Sequence, residues 1–317
     1  MDHAAIERFK ALDQAFHNRA DRGDRLYTRF AALAALSAPQ DIETLIERTF
    51  ETRSRLNEGL VNWRAPGKPM RLVFAAALVA SERAANAFLD ARNALATRRA
   101  ARGGRALSHG GSCAALALVA SGGDADLADN FFDLLEALAA PWWRRMPGRE
   151  EVLAASFAAL GETPDEAASH LSTSRDALLA AGVPTQNADA AAYEVALLNP
   201  EHGALASAWT TLNLAVRGRA ALSSGIGKTG LAILASQGNG QLTADALVRS
   251  FDAVRAIAPK ANGQTAARLS MRLTQAQTGF DRPVSAANEL THILASQAAM
   301  VAAVTATTTA AVMTATN

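Results

Sequence analysis

Cysteine, lysine, aromatic side chains and strand-like runs are all scarce in this sequence. A single cysteine, Cys113, excludes an internal disulfide and the usual four-ligand cysteine zinc site, and it fits a reducing cytosol. Lysine occurs only at Lys10, Lys68, Lys228 and Lys260, so nearly all basic charge is arginine, a bias that points to a GC-rich bacterial genome. Neither sign of charge is in excess: 31 basic residues face 30 acidic ones, so no global field argues for nucleic acid or an acidic membrane surface. Met1 to Ala20 is charged and amphipathic without an apolar run, which predicts neither a secretory signal nor an N-terminal anchor, and a cytoplasmic protein. β-branched runs of the kind a sheet needs appear only in the last few residues.

What is abundant is alanine. Half of the 317 residues are hydrophobic but only 5% are aromatic, because alanine, small and the best helix former, carries much of that half. The expected fold class is all-α with close helix packing. Short apolar segments begin near Tyr27, Pro69, Gly111, Arg149, Asn187, Gly227 and Gly263, each followed by a longer amphipathic one. The spacings of 42, 42, 38, 38, 40 and 36 residues predict an α-solenoid of about seven helical hairpins, a superhelix like those of TPR or HEAT repeats. The joints carry matching punctuation. Thr163-Pro164 with Glu166 spells a capping box, Asn199-Pro200 repeats the logic, and Gly122-Gly123-Asp124 and Gly238-Asn239-Gly240 break the chain at equivalent places. In the long helices the apolar stripe reads Leu127, Phe131, Leu134, Leu135, Leu138, and again Leu242, Leu247, Phe251, Val254, Ile257. The predicted organisation is a capping helix within 1–26, hairpin repeats over 27–297, and a low-complexity Ala/Thr/Val tail over 298–317. No charged residue occurs from Ile293 onward, but alanine and threonine insert poorly into lipid, so Ala286 to about Val304 is expected to be a last packed helix, not a membrane span.

Four motifs suggest chemistry and fail on inspection. Ser224-Gly225-Ile226-Gly227-Lys228-Thr229-Gly230 resembles part of a phosphate loop, but Leu222 stands where the first glycine belongs and an alanine-rich helix where a strand belongs. His109 and Cys113 share a glycine-rich joint, yet Cys113 opens an apolar helix and no neighbouring carboxylate orients the histidine. Asp124, Asp126, Asp129, Asp133 and Glu136 crowd one helix start, where the dipole alone favours acids. The six histidines show no ligand spacing, so neither metal nor cofactor is expected, and no catalytic residue can be named.

Two stretches are candidate partner-binding sites. Between Ala91 and Gly123 lie Arg92, Arg98, Arg99, Arg102 and Arg105 with no acid among them, and a solvated surface suits them better than a nucleic-acid groove, which would interleave aromatics. Trp142-Trp143-Arg144-Arg145 pairs the residue types that dominate binding hot spots.

The run from Glu162 to Asn199, with Leu171 to Gly182 followed by Asn187, Tyr193 and Leu197-Leu198, resembles the repeat units of a bacterial family known as domain of unknown function 4003, and Gln297-Ala298-Ala299-Met300 is similar to its tail. That resemblance implies helical repeats and no activity. The repeat, with no catalytic constellation beside it, makes the expected function a scaffold that binds a protein or peptide. The alternatives are an enzyme or small-ligand binder whose site is assembled from several repeats, and a protein that associates with membranes through its tail.

Overall fold

The computed structural model describes residues 3–21, 24, 27–61, 64–141, 145–198, 200, 202–257 and 260–278; the tail helix and tail domain expected beyond them lie outside this set. The described chain is all-helical, with no strand among these residues. Its longer elements are α1 (His3–Arg19), α2 (Thr28–Ala34), α3 (Ile42–Gly59), α4 (Lys68–Ala80), α5 (Ala85–Arg102), α6 (Ser112–Ala120), α7 (Ala128–Ala137), α8 (Pro147–Leu160), α9 (Pro164–Ala180), α10 (Thr185–Leu198), α11 (Leu205–Ala215), α12 (Ala220–Ser223), α13 (Gly225–Ala235), α14 (Gly240–Ala256) and α15 (Gly263–Gln277). The apolar helices α2, α4, α6, α8, α10, α13 and α15 each begin within two residues of the positions read from the sequence.

Local chemistry sets these boundaries. Asp41 accepts from the Thr44 amide at the start of α3, and Asn262 accepts from the Thr265 amide at the start of α15. Thr163 and Glu166 form the expected reciprocal capping box, and Pro164 occupies the first turn of α9.

Burial separates the helices into two kinds. In α6 all nine residues are buried, and unbroken buried runs cover Met70–Val79 of α4, Arg149–Ala158 of α8, Ala191–Leu198 of α10 and Ala266–Gln275 of α15. Such helices are surrounded. By contrast α3 buries only Leu45, Ile46, Thr49 and Leu56, and α9 only Ala167, Ser174 and Leu178, one stripe each. In α14 the buried stripe runs through Leu247 and Val254, while Leu242 is exposed, contrary to the expected pattern. The reason is geometric: five residues before Leu247 is about 140° around the helix from it.

Packing follows chain order. The surrounded helices form an inner row, α2 on α4, α4 on α6, α6 on α8, α8 on α10, α10 on α13 and α13 on α15. The amphipathic helices α1, α3, α5, α7, α9, α11 and α14 form an outer row, each packed on the next and against the inner helices. The succession then returns to its start, because α15 packs on both α1 and α2. Ala266, Leu269 and Leu273 of α15 accordingly share one hydrophobic cluster with Phe9 and Phe16 of α1 and with Phe30 of α2.

Candidate functional site

Several polar side chains at the N-terminal ends of the inner-row helices bond across to the next helix. They tie one unit to the next. Ser108 donates to Glu151 of α8, Arg149 of α8 to the Ala190 carbonyl of α10, and Asn187 of α10 to the Gly225 carbonyl and to Thr229 of α13 at 3.1 and 3.0 Å. Across the point where the ends meet, Arg29 of α2 donates to the Ile257 carbonyl at 3.4 Å.

At this same end a cleft of about 210 Å³ opens between the C-terminus of α7, the middle of α9 and the first turns of α10. Its wall is mostly aliphatic, with Leu138, Pro141, Ala168, Leu171 and Ala192, and Tyr193 closes one side. Arg175 and Asp189 also line it, paired at 2.6 Å, so the charged part of the wall is held in one orientation. The cleft follows from ordinary packing. α7 ends at Ala137, the chain leaves through Pro141, and the wall at that level is made of alanines too short to fill the gap. Chemically it offers an apolar seat beside a fixed ion pair, suited to an aliphatic or aromatic group with an adjoining hydrogen-bonding function.

A second polar group lies nearby, where the segment between α5 and α6 meets α8. Glu150 and Glu151 are both almost fully buried. Arg105 reaches each of them, at 3.3 and 3.2 Å, and the Ser108 amide and hydroxyl bind Glu151 at 2.9 and 3.1 Å. Burial pushes the Glu151 carboxyl up to about 7 despite those two partners, and the Glu150 charge adds to the rise. Lacking a path to solvent, Glu151 is placed to hold protein groups, not to meet a substrate.

The sequence candidates fall as follows. Trp142, Trp143 and Arg144 lie outside the described residues, but Pro141, which precedes them, lines the cleft. Arg145 is exposed and its Nε donates to the Ala140 carbonyl at 3.2 Å. The arginine run does not stand bare. Arg98 is paired with Asp129, Arg102 with Asp133 at 2.7 Å and Asp129 at 3.2 Å, and Arg105 with the two buried glutamates, while Arg99 is partly exposed. The acids missing from residues 91–123 are supplied by α7 and α8, so the isolated basic patch that the local sequence suggests is largely neutralised in space. Arg92 is buried, its Nε on the Ser112 hydroxyl at 2.9 Å.

α13 is preceded by the helix α12, and a Cβ on Gly227 would overlap the Ala221 carbonyl oxygen, so that glycine serves a tight helix-to-helix approach. Cys113 is fully buried in α6. Asp124 caps a short turn through the Asp126 amide, and no group of three potential metal ligands occurs among the described residues. Nor is any single helix among them long and apolar enough to cross a membrane. Sequence reasoning missed Arg175, Asp189, Glu150 and Glu151. The acids that answer Arg98 and Arg105 lie 31 and 45 residues further on, close to one repeat, which is the signal that would have found them. The chain matches no protein-family model, no curated protein and no solved structure.

Proposed function

We propose that this chain is a helical-repeat scaffold whose successive hairpins close on themselves, and that it binds a protein or peptide segment through the cleft at the α7–α9–α10 joint. The observation that carries this reading is the cleft itself: aliphatic walls, Tyr193 and the Arg175–Asp189 pair at about 210 Å³. Ligand sites for whole small molecules run to roughly 300–1,000 Å³, so this one suits a side chain or two of a longer segment. Trp142, Trp143, Arg144 and Arg145 follow directly in sequence and supply the residue types that most often anchor such a segment. The neutralised arginines of α5 support a protein partner over nucleic acid, whose binding depends on free basic charge. The resemblance of Glu162–Asn199 to a repeat family without assigned activity is compatible with this reading and adds no reaction to it.

The test is to isolate a stoichiometric partner with the full-length chain and to measure its affinity for purified variants. Ser172 is exposed at the cleft edge, so Ser172→Trp fills the cleft without touching the core; at least a tenfold loss of affinity is expected, with Arg48→Ala, exposed on α3, as an unaffected control. Affinity unchanged by both Ser172→Trp and the double change Trp142→Ala, Trp143→Ala overturns the reading.

A further inference from the structure

We propose that residues 103–111 form a strap hinged at two glycine pairs and latched by the carboxylates of Glu150 and Glu151, and that the latch loosens as pH rises from the acid range to neutrality. This goes beyond partner binding and does not depend on it. The hinges are visible in the backbone. Gly103 and Gly104 have φ of 76° and 91°, and Gly110 and Gly111 have φ of 64° and 82°, all in the left-handed region that favours glycine. Nothing lies within 4 Å of where a Cβ would stand at Gly103 or Gly104, so the first hinge turns in open space.

Between the hinges, Arg105 and Ser108 hold the strap to α8 through the two glutamates, while the Met146 amide also donates to Glu150 at 3.2 Å. The charges in this buried place do not balance. Two carboxylates face the Arg105 guanidinium, and among the described residues it is the cation in ion-pair contact with both of them. α6 carries no charged residue, and the α7 acids Asp129 and Asp133 are held by Arg98 and Arg102. On α10, Asp189 is held by Arg175, and Arg149 of α8 itself donates to the Ala190 carbonyl. His109, on the strap, is half-buried, and burial holds it below its usual range, so it adds no charge at neutral pH. With one proton on Glu151 the cluster is neutral; with none it carries a buried negative charge.

The direction follows from linkage. Latched, Glu151 titrates at about 7; released into solvent it returns to about 4.5. The latched form thus binds the proton more tightly, is favoured below pH 4.5, and loses ground as pH rises from there to 7. The full span corresponds to a change of about 300-fold in the open-to-latched ratio, from the difference between those two values.

Hydrogen exchange on the full chain between pH 5 and pH 8 tests this, with each rate divided by that of an unstructured peptide at the same pH. With His109→Asn in the background, so that no other group on the strap titrates in this range, protection of the Ser108 and Gly110 amides should fall by up to roughly 70-fold, while that of Ala114–Val119 in α6 holds, and adding Glu151→Gln should abolish the pH dependence of the strap. Should that variant fail to fold, carboxyl carbon chemical shifts of the native chain give the same answer, since Glu151 should titrate near pH 7. Strap protection that ignores pH, a pH dependence that survives Glu151→Gln, or a Glu151 midpoint below 5 overturns the proposal.

Discussion

Arg272 on α15 and Glu194 on α10 form an ion pair at 3.4 Å, both side chains buried, although their helices stand two places apart in the inner row. Gln275 completes the group by donating to the same Glu194 oxygen at 3.2 Å and accepting from Arg272. A pair so placed stabilises little in net terms, because desolvation offsets the attraction, but removing Arg272 strips the buried Glu194 of this countercharge. Arg272→Met should therefore cost about 3–5 kcal/mol in denaturant unfolding, and the double change with Glu194→Leu should recover most of it. Equal losses in the single and double variants would show that the group acts through packing alone.

The outer network behaves differently. Asp129 is held below the usual carboxylate range first by its hydrogen bond to Arg98, then by the Arg98 charge and by Arg102. A lowered folded value means that this contribution is present above the unfolded value, near 3.9, and is lost as pH falls through the folded one. Asp129 and its partners are about half exposed, so salt should screen most of it. Asp129→Asn should weaken the salt dependence of stability at pH 6, with the Arg102–Asp133 pair still in place, and remove its own share of the acid transition below pH 4. An unchanged salt response would mean that these contacts do not persist in solution.

Cys113 sits fully buried in α6 with the inner helices around it. Its thiol is expected to be inert to a thiol reagent in the folded chain and to react only at the rate of global opening, so that its modification and denaturant unfolding give the same free energy. Fast labelling under native conditions would place α6 in a locally opening unit and contradict its burial.

The Thr163 hydroxyl and the Glu166 carboxylate satisfy each other's backbone amides at the start of α9, and both are exposed, so little else is disturbed by removing one. Thr163→Ala should cost about 1 kcal/mol, and Thr163→Ser should recover it, since serine keeps both the cap and the hydroxyl that donates to Glu166. Chemical denaturation of the three chains decides the matter; no loss in the alanine variant would mean that α9 is held by its packed face alone.

Much of this could be read along the chain, and what could not has a common cause. Helix starts at Lys68, Ser112, Pro147 and Gly263 were legible because proline, glycine and the capping residues act on their own neighbours, and the difference between α6 and α9 was legible as continuous against striped apolarity. The return of α15 to α1 and α2 was not, since whether a stack of hairpins stays open depends on a small rotation at every joint that no local pattern encodes. The arginines of α5 misled for the same reason. Their partners Asp129 and Asp133, like Glu150, which pairs with Arg105 just beyond α5, are neighbours only after two units stack. The cleft is the absence of side-chain volume where Ala168 and Ala192 approach Leu138, and an absence leaves no mark on composition.

The meeting of the two ends sets how the molecule should unfold. In an open stack of helical pairs each unit touches only its neighbours, so an end can fray and cooperativity weakens with length. Here Leu269 and Leu273 of α15 are fully buried in the cluster that also holds Phe9, Phe16 and Phe30, so the first and last described units cover each other. Unfolding of the native chain should then be a single transition, with far-UV circular dichroism and tryptophan fluorescence coinciding. Leu269→Ala or Leu273→Ala should cost about 2–5 kcal/mol, as truncation of a fully buried leucine does, and Leu269→Asp should go further by opening the seam and separating the two transitions. Leu178, equally buried between α9 and its neighbours but away from the seam, is the control: Leu178→Ala should cost a similar amount while the probes still coincide. If the seam and control variants lose cooperativity alike, or neither does, closure contributes nothing special and each unit stands on its immediate neighbours.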